Sequence, residues 1–191
     1  MNFYIRFQDR HSCPLSKKAI FLDRDGVINK DKKYVHKVEQ VEFIPGIFEL
    51  CSKAKKNNYL LIVITNQSGI GRGYYTELEF INLMAWMNEK FIEKTCGLNG
   101  VYYCPYFESS TDQRYKSCSS FRKPNPGMII KAKEDFGLDL SCCKLIGDQI
   151  SDMEAGFAAG VGVCYLLNSG DANNNFDPRY RIIKDFDSLV L

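Results

Sequence analysis

Residues 19 to 29 read Ala19-Ile20-Phe21-Leu22-Asp23-Arg24-Asp25-Gly26-Val27-Ile28-Asn29, an apolar run that stops abruptly at two carboxylates one residue apart. Four apolar residues in succession, Ala19 to Leu22, predict a buried strand with Asp23 at its C-terminal end and Asp25 in the turn that follows. In an open α/β sheet the crevice beyond the strand ends is where ligands bind. Gly26 permits a sharp turn there, because it has no Cβ to forbid a positive φ. Two carboxylates this close repel unless a cation neutralises them or one of them keeps a proton, and either state is useful to an enzyme.

The same pattern recurs along the chain. Leu60 to Ile64 is the strongest apolar run, of the kind buried on both faces of a parallel sheet, and it ends in Thr65-Asn66-Gln67-Ser68-Gly69. A hydroxyl, two amides and exposed backbone N–H groups at such a tip suit a phosphate. Val101 to Pro105 predicts another strand, followed from Glu108 to Ser120 by a polar, serine-rich surface loop. The chain returns through Arg122 and Lys123, a planar fork and a point charge held by the prolines after them and suited to an anionic ligand. Lys144 to Asp148 predicts a strand ending on a carboxylate, and Asp152 follows in the opening of the next helix. Two acids there fit the preference of Mg²⁺ for oxygen ligands. Val161 to Leu167 completes the strands, and residues 168 to 180 read as a polar loop.

Helices fill the intervals. Pro45-Gly46 opens one with Ile47, Leu50, Cys51 and Ala54 at helical spacing. Thr76 and Glu79 form a capping box for a second, whose Phe80, Leu83, Met84, Met87 and Phe91 make a core stripe. Asn125 is expected to cap a third that begins at Pro126, and Ser151 with Glu154 to cap a fourth that Gly160 stops. Strict alternation of strands and helices predicts a three-layer, doubly wound, mostly parallel α/β sheet. All four polar tips then lie on one edge of it. Residues 29 to 43, too polar for core, should drape over that edge as a loop cap, with His36 as a solvated loop residue. Phe3, Ile5 and Phe7 alternate with polar neighbours as in a short edge strand within an N-terminal extension, residues 1 to 17.

A chain of 191 residues, 45% hydrophobic and 25% charged, fits one α/β domain with a sizeable core. Its net charge of +2, with no basic block, argues against a nucleic-acid partner. The first ten residues lack the apolar core of a signal peptide, and no run approaches the roughly 18 apolar residues of a membrane span. A cytoplasmic monomer without membrane contact is expected. Its eight cysteines should then be reduced, with Cys51, Cys142, Cys143 and Cys164 in the core.

The ordered set of tips resembles the four motifs of the haloacid-dehalogenase (HAD) phosphatases. The closer likeness is to their D,D-heptose 1,7-bisphosphate and histidinol-phosphate phosphatases, carried by residues 21–29, Tyr34-Val35-His36, residues 65–73 and residues 122–128. Thr65 to Ile70, and Asp31 to Tyr34 ahead of Val35-His36, favour the heptose branch. The resemblance implies a phosphatase using Mg²⁺, with Asp23 as nucleophile, Asp25 as general acid and then base, and Thr65 and Lys123 on the phosphoryl oxygens. It assigns Asp31, Tyr34, Asn66, Gln67, Ser68 and Arg122 to a phosphosugar substrate. Mg²⁺ would be held by Asp23, the Asp25 carbonyl and Asp148, with Asp152 behind them. The implied reaction takes D-glycero-D-manno-heptose 1,7-bisphosphate to the 1-phosphate, with another small phosphomonoester such as histidinol phosphate, or an inactive binding protein, as alternatives.

The chain departs from the subfamily in two respects. Its members usually carry a zinc loop, which falls here at residues 104 to 121. Cys104 stands, but Tyr106 replaces the histidine, and Ser119 and Phe121 replace the later cysteines, leaving Cys118 nearby. Two thiols are too few for a closed structural zinc site, so zinc is expected to be absent. Packing by Tyr103, Tyr106, Phe107, Tyr115 and Phe121 should hold the loop instead. The second departure is Gln149, where a lysine often stands beside the metal aspartate.

Overall fold

The computed structural model describes residues 3–7, 17–116, 120–167 and 177–189. Strands β1 (Tyr4–Arg6), β2 (Ala19–Leu22), β3 (Leu60–Asn66), β4 (Gly100–Cys104), β5 (Lys144–Gly147), β6 (Val163–Leu167) and β7 (Tyr180–Ile183) form one sheet, ordered β1-β4-β3-β2-β5-β6-β7. Six of them run parallel, and β1 lies antiparallel on β4. The chain leaves β2 first toward β3 on one side and later returns to β5 on the other. The C-terminal end of β2 is therefore the topological switch point, where an open sheet parts to form a crevice.

Helices α1 (Ile47–Lys56), α2 (Ser68–Gly71), α3 (Glu77–Glu93), α4 (Gly127–Phe136) and α5 (Ile150–Ala159) connect the strands. Successive strand residues point to opposite faces. Ile20, Leu22, Leu61 and Val63 accordingly pack with Leu50, Phe80 and Phe91 of α1 and α3. Ala19, Phe21, Ile62 and Ile64 pack with Met128, Ile129 and Met153 of α4 and α5. Two apolar layers enclosing one sheet explain why β2 and β3 read as unbroken apolar runs. The Thr76–Glu79 capping box is present, with Glu79 N donating to Thr76 Oγ1 at 3.1 Å and Thr76 N to Glu79 Oε2 at 2.7 Å.

Several local expectations need correcting. Helix α4 starts at Gly127, with Pro126 rather than Asn125 at its cap position. The capping box of α5 sits two residues earlier than read: Gln149 is the cap, and its N–H donates to Asp152 Oδ2 at 3.0 Å. Asp152 is drawn to the helix terminus because a carboxylate there meets unpaired backbone N–H groups. Cys51, Cys143 and Cys164 are buried as expected, but Cys142 is exposed. It lies in a 3₁₀ turn, Leu140–Cys142, before the apolar strand begins, with Sγ 3.6 Å from Asp139 Oδ2. The edge strand at the N-terminus forms, and Phe3 is buried. Residues 168 to 176 of the expected polar loop, and Cys118 and Ser119, lie outside the described residues.

Candidate active site

Asp23 follows the last residue of β2 and is nearly buried, at 9% exposure. Its Oδ1 accepts from Arg24 N at 2.7 Å and meets Lys123 Nζ at 3.0 Å. Lys123 also meets Asp152 Oδ1 at 2.6 Å and donates to the Ile64 carbonyl at 3.1 Å. Burial works to lower the Lys123 pKa, but Asp23 and Asp152 together hold it above the ordinary lysine range. Asn66 fixes the lysine's main chain: Oδ1 accepts from Lys123 N at 3.1 Å, and Nδ2 donates to Lys123 O at 3.2 Å. The tip of β3 thus holds the segment that returns from the long loop after β4.

Asp25 is oriented from three sides. Arg24 gives its Oδ2 hydrogen bonds from Nη2 at 2.6 Å and Nε at 3.1 Å, Gln67 Nε2 reaches the same oxygen at 3.2 Å, and Asn29 Nδ2 donates to Oδ1 at 3.0 Å. Gln67 Nε2 donates to Thr65 Oγ1 at 2.8 Å as well, and Gln67 Oε1 accepts from the Tyr75 hydroxyl at 2.6 Å. Thr65, Gln67 and Tyr75 therefore form a buried relay behind Asp25. Arg24, fully buried, was not singled out from the sequence. The available signal was its place between two carboxylates at a strand end, where a buried cation is needed.

Carboxylate oxygens of Asp23, Asp148 and Asp152 all lie within 4.8 Å of one another. Burial, opposed by Lys123 and reinforced by Asp152, Asp148 and Asp25, pushes Asp23 up to about 8. Burial also raises Asp148. Asp148 Oδ2 accepts from Gln149 Nε2 at 2.8 Å, whereas its buried Oδ1 has no hydrogen-bond partner. A buried group of hard oxygen donors with an orphaned oxygen is short of positive charge, and a small divalent cation fits that need.

Gly26 makes room for the cluster. Its φ is +87°, and a Cβ built on it would stand 2.3 Å from Asp148 Oδ2. Gly26→Ala should therefore cost about 1–3 kcal/mol through the backbone alone. It should also displace Asp148, lowering the melting temperature and activity together. Wild-type turnover in a folded Gly26→Ala protein would show that Asp148 need not sit where it does.

The cleft above these groups has a volume of about 640 Å³ and is lined by Asp23, Asp25, Asp31, Lys33, Tyr34, Asn66, Gln67, Ser68, Gly69, Tyr75, Asp148 and Gln149. Of the segment 29 to 43, expected to drape over the cleft, Asp31, Lys33 and Tyr34 line it. His36 is not freely solvated, however: its ring stacks on Tyr75 with centroids 5.0 Å apart, and Nδ1 lies 2.8 Å from the Tyr34 carbonyl oxygen. That packing gives the loop a fixed seat.

Residues 120–187 match the family model of HAD-hydrolase-like proteins. The D-glycero-alpha-D-manno-heptose-1,7-bisphosphate 7-phosphatase of Burkholderia mallei is 50% identical over 159 residues, 83% of this chain and 84% of that protein. The chain belongs to the HAD-superfamily phosphatases. The enzyme of the same name from Campylobacter jejuni is 44% identical over 171 residues, 90% of this chain and 94% of its own length. A D,D-heptose 1,7-bisphosphate phosphatase of B. bronchiseptica, solved with magnesium and phosphate, superposes with a TM-score of 0.76. It covers 90% of this chain and 94% of its own, at 24% identity, and so speaks to the fold alone.

As a HAD phosphatase the protein is a hydrolase of phosphomonoesters, and most of the residues singled out from its sequence gather in the cleft. Arg122 does not line it; its Nη1 donates instead to the Tyr106 carbonyl at 3.4 Å. Asn66 and Gln67 line it, with side chains engaged by Lys123 and by the relay behind Asp25. Asp152, like Arg122, does not line it; it is buried, paired with Lys123 and within 4.8 Å of the Asp148 carboxylate. The loop at the subfamily's zinc position is packed by aromatics: Tyr103 and Tyr115 hydroxyls donate to the Glu77 carboxylate at 2.6 and 3.1 Å, and Arg72 sits 3.8 Å from the Phe107 ring centroid. Cys104 is fully buried.

Proposed function

We propose that this phosphatase removes one phosphate from a small phosphosugar, with D-glycero-D-manno-heptose 1,7-bisphosphate, hydrolysed to the 1-phosphate, as substrate. The observation that carries the reading is the buried group Asp23, Lys123, Asp152 and Asp148 at the switch point, beside an independently oriented Asp25. The names of the Burkholderia mallei and Campylobacter jejuni relatives support the sugar and point to its α anomer.

In this reading Asp23 attacks phosphorus, the ester P–O bond breaks, and the leaving oxygen takes a proton from Asp25. Asp25 then removes a proton from water, whose oxygen attacks phosphorus. The Asp23–phosphoryl bond breaks, and inorganic phosphate departs. Covalent catalysis divides one difficult displacement into two. Lys123 and the Thr65 hydroxyl face the transferring oxygens, and Tyr34, Asp31 and Ser68 hold the sugar, with Arg122 flanking Lys123. Mg²⁺ would be held by Asp23, Asp148 and the Asp25 carbonyl, and would supply positive charge for the phosphoryl oxygens.

Phosphate release should be measured from both heptose 1,7-bisphosphate anomers, histidinol phosphate and a set of other phosphomonoesters. The expected result is preference for a heptose bisphosphate, loss of activity in a chelator, and full return with Mg²⁺ alone. Preference for histidinol phosphate would overturn the substrate. Zinc that survives dialysis and disappears in Cys104→Ser would overturn the expectation that the 104–121 loop holds none.

A further inference from the structure

Among the residues lining the cleft, Lys33 is the one basic side chain, set against Asp23, Asp25, Asp31 and Asp148. The cations around it are committed elsewhere. Lys123 is held between Asp23 and Asp152, Arg24 lies on Asp25, Arg122 donates to the Tyr106 carbonyl, and Lys30 and Lys32 both pair with Glu42. Lys33 makes no ion pair among the described residues.

The backbone that presents Lys33 is unusual. Its φ is +59°, and that of Tyr34 is +55°, two successive left-handed residues that both carry a Cβ. Side chains disfavour this region, and glycine would occupy it freely. The bend is nevertheless over-determined. Asp31 Oδ1 accepts from Lys33 N at 2.8 Å, the Val35 carbonyl accepts from Arg24 Nη2 at 2.9 Å, and the Tyr34 ring meets Tyr74 edge-on at 4.7 Å. Strain of this kind collects at ligand clamps. A lysine kept where glycine would relieve the chain, unpaired and facing a carboxylate-lined cleft, has a chemical reason to be there.

We infer that Lys33 is the contact for the second, untransferred phosphate of a bisphosphorylated sugar, an inference that rests on the phosphosugar reading above. One phosphate is drawn to Lys123 at the floor, and the other must pass over acids to settle near the lip. A compact ammonium on a flexible stem can follow a phosphate there without demanding one fixed geometry.

The test compares kcat/KM for heptose 1,7-bisphosphate with that for heptose 7-phosphate, and for fructose 1,6-bisphosphate with fructose 6-phosphate, in wild type and in Lys33→Gly, Lys33→Gln and Lys33→Arg. A charge-assisted contact predicts that the bisphosphate-to-monophosphate ratio falls roughly tenfold in the Gly and Gln variants and recovers in Arg. Lys33→Gly should melt no lower than wild type, so misfolding cannot imitate the result. The ratio should also fall with added salt, since the lip is exposed. An unchanged ratio in both variants, or an equal fall in Arg122→Ala with none at Lys33, would overturn the assignment. If the wild type ignores both heptose compounds but its preference for fructose bisphosphate vanishes in Lys33→Gly, the heptose reading fails and Lys33 stands. If it prefers no bisphosphate in either pair, the role of Lys33 fails.

Discussion

Asp23→Asn is expected to abolish turnover and, in metal-free protein, to raise the melting temperature at alkaline pH. The carboxamide cannot attack phosphorus, and it cannot contribute anionic charge to the cluster with Asp148. Losses of about 10⁴-fold or more are usual when a nucleophile is removed. The stability effect has the opposite sign. Asp23 titrates near 8 in the fold, mainly through burial, against an ordinary value of 3.8. Between those values the folded chain binds a proton that the unfolded chain has released, so stability falls as pH rises through that window. An amide has no proton to lose, and the variant should escape the fall. Melting curves with a chelator at pH 6 and 8 would show wild type losing stability and Asp23→Asn losing less; in a chain of this size roughly 2–4 °C corresponds to each kcal/mol. Added Mg²⁺ should recover wild type at pH 8. Near wild-type turnover in Asp23→Asn would end the covalent mechanism.

What could be read in advance, and what could not, follows from the range of the interactions. The runs Ala19–Leu22 and Leu60–Ile64 declare their burial because both faces of each strand are covered, and their polar tips follow from where those runs stop. The stripe from Phe80 to Phe91 is legible for the same reason, since its period depends only on the helix itself. The role of Asn66 is not legible, because it lies in hydrogen bonds to the main chain of Lys123, 57 residues away. The capping of α5 was misplaced because Ser151 and Glu154 offer the expected spacing, while Asp152 had the stronger competing use beside Gln149. Cys142 was misread through its neighbours: it directly precedes the buried Cys143, and only the 3₁₀ turn turns it outward. His36 looked solvated in a polar stretch, but its partner Tyr75 comes from beyond β3. Contacts across the cleft are set by the loops, whose paths a local pattern does not encode.

Lys123→Met is expected to damage stability and activity through two separable effects. The lysine is 4% exposed, with ammonium contacts at 3.0 Å to Asp23 and 2.6 Å to Asp152. Its pKa is held above the ordinary range, so the charge, and the stability that depends on it, persist throughout the working pH range. Methionine is close to lysine in length and fills the space, yet leaves the Asp152 carboxylate buried beside Asp23 without its cation. Removing one partner of a buried ion pair costs about 3–5 kcal/mol, mostly the penalty of the stranded charge. Adding Asp152→Asn removes that charge, and the double variant should recover a good part of the loss in urea denaturation, a coupling that a double-mutant cycle measures. Activity should not return with it. Loss of a cation aimed at developing charge typically lowers kcat by about 10²–10³, and neutralising Asp152 does nothing to replace it. If the double variant regained turnover along with stability, Lys123 would be a structural cation only. If Lys123→Met alone proved as stable as wild type, the buried network would not be what holds the floor of this cleft together.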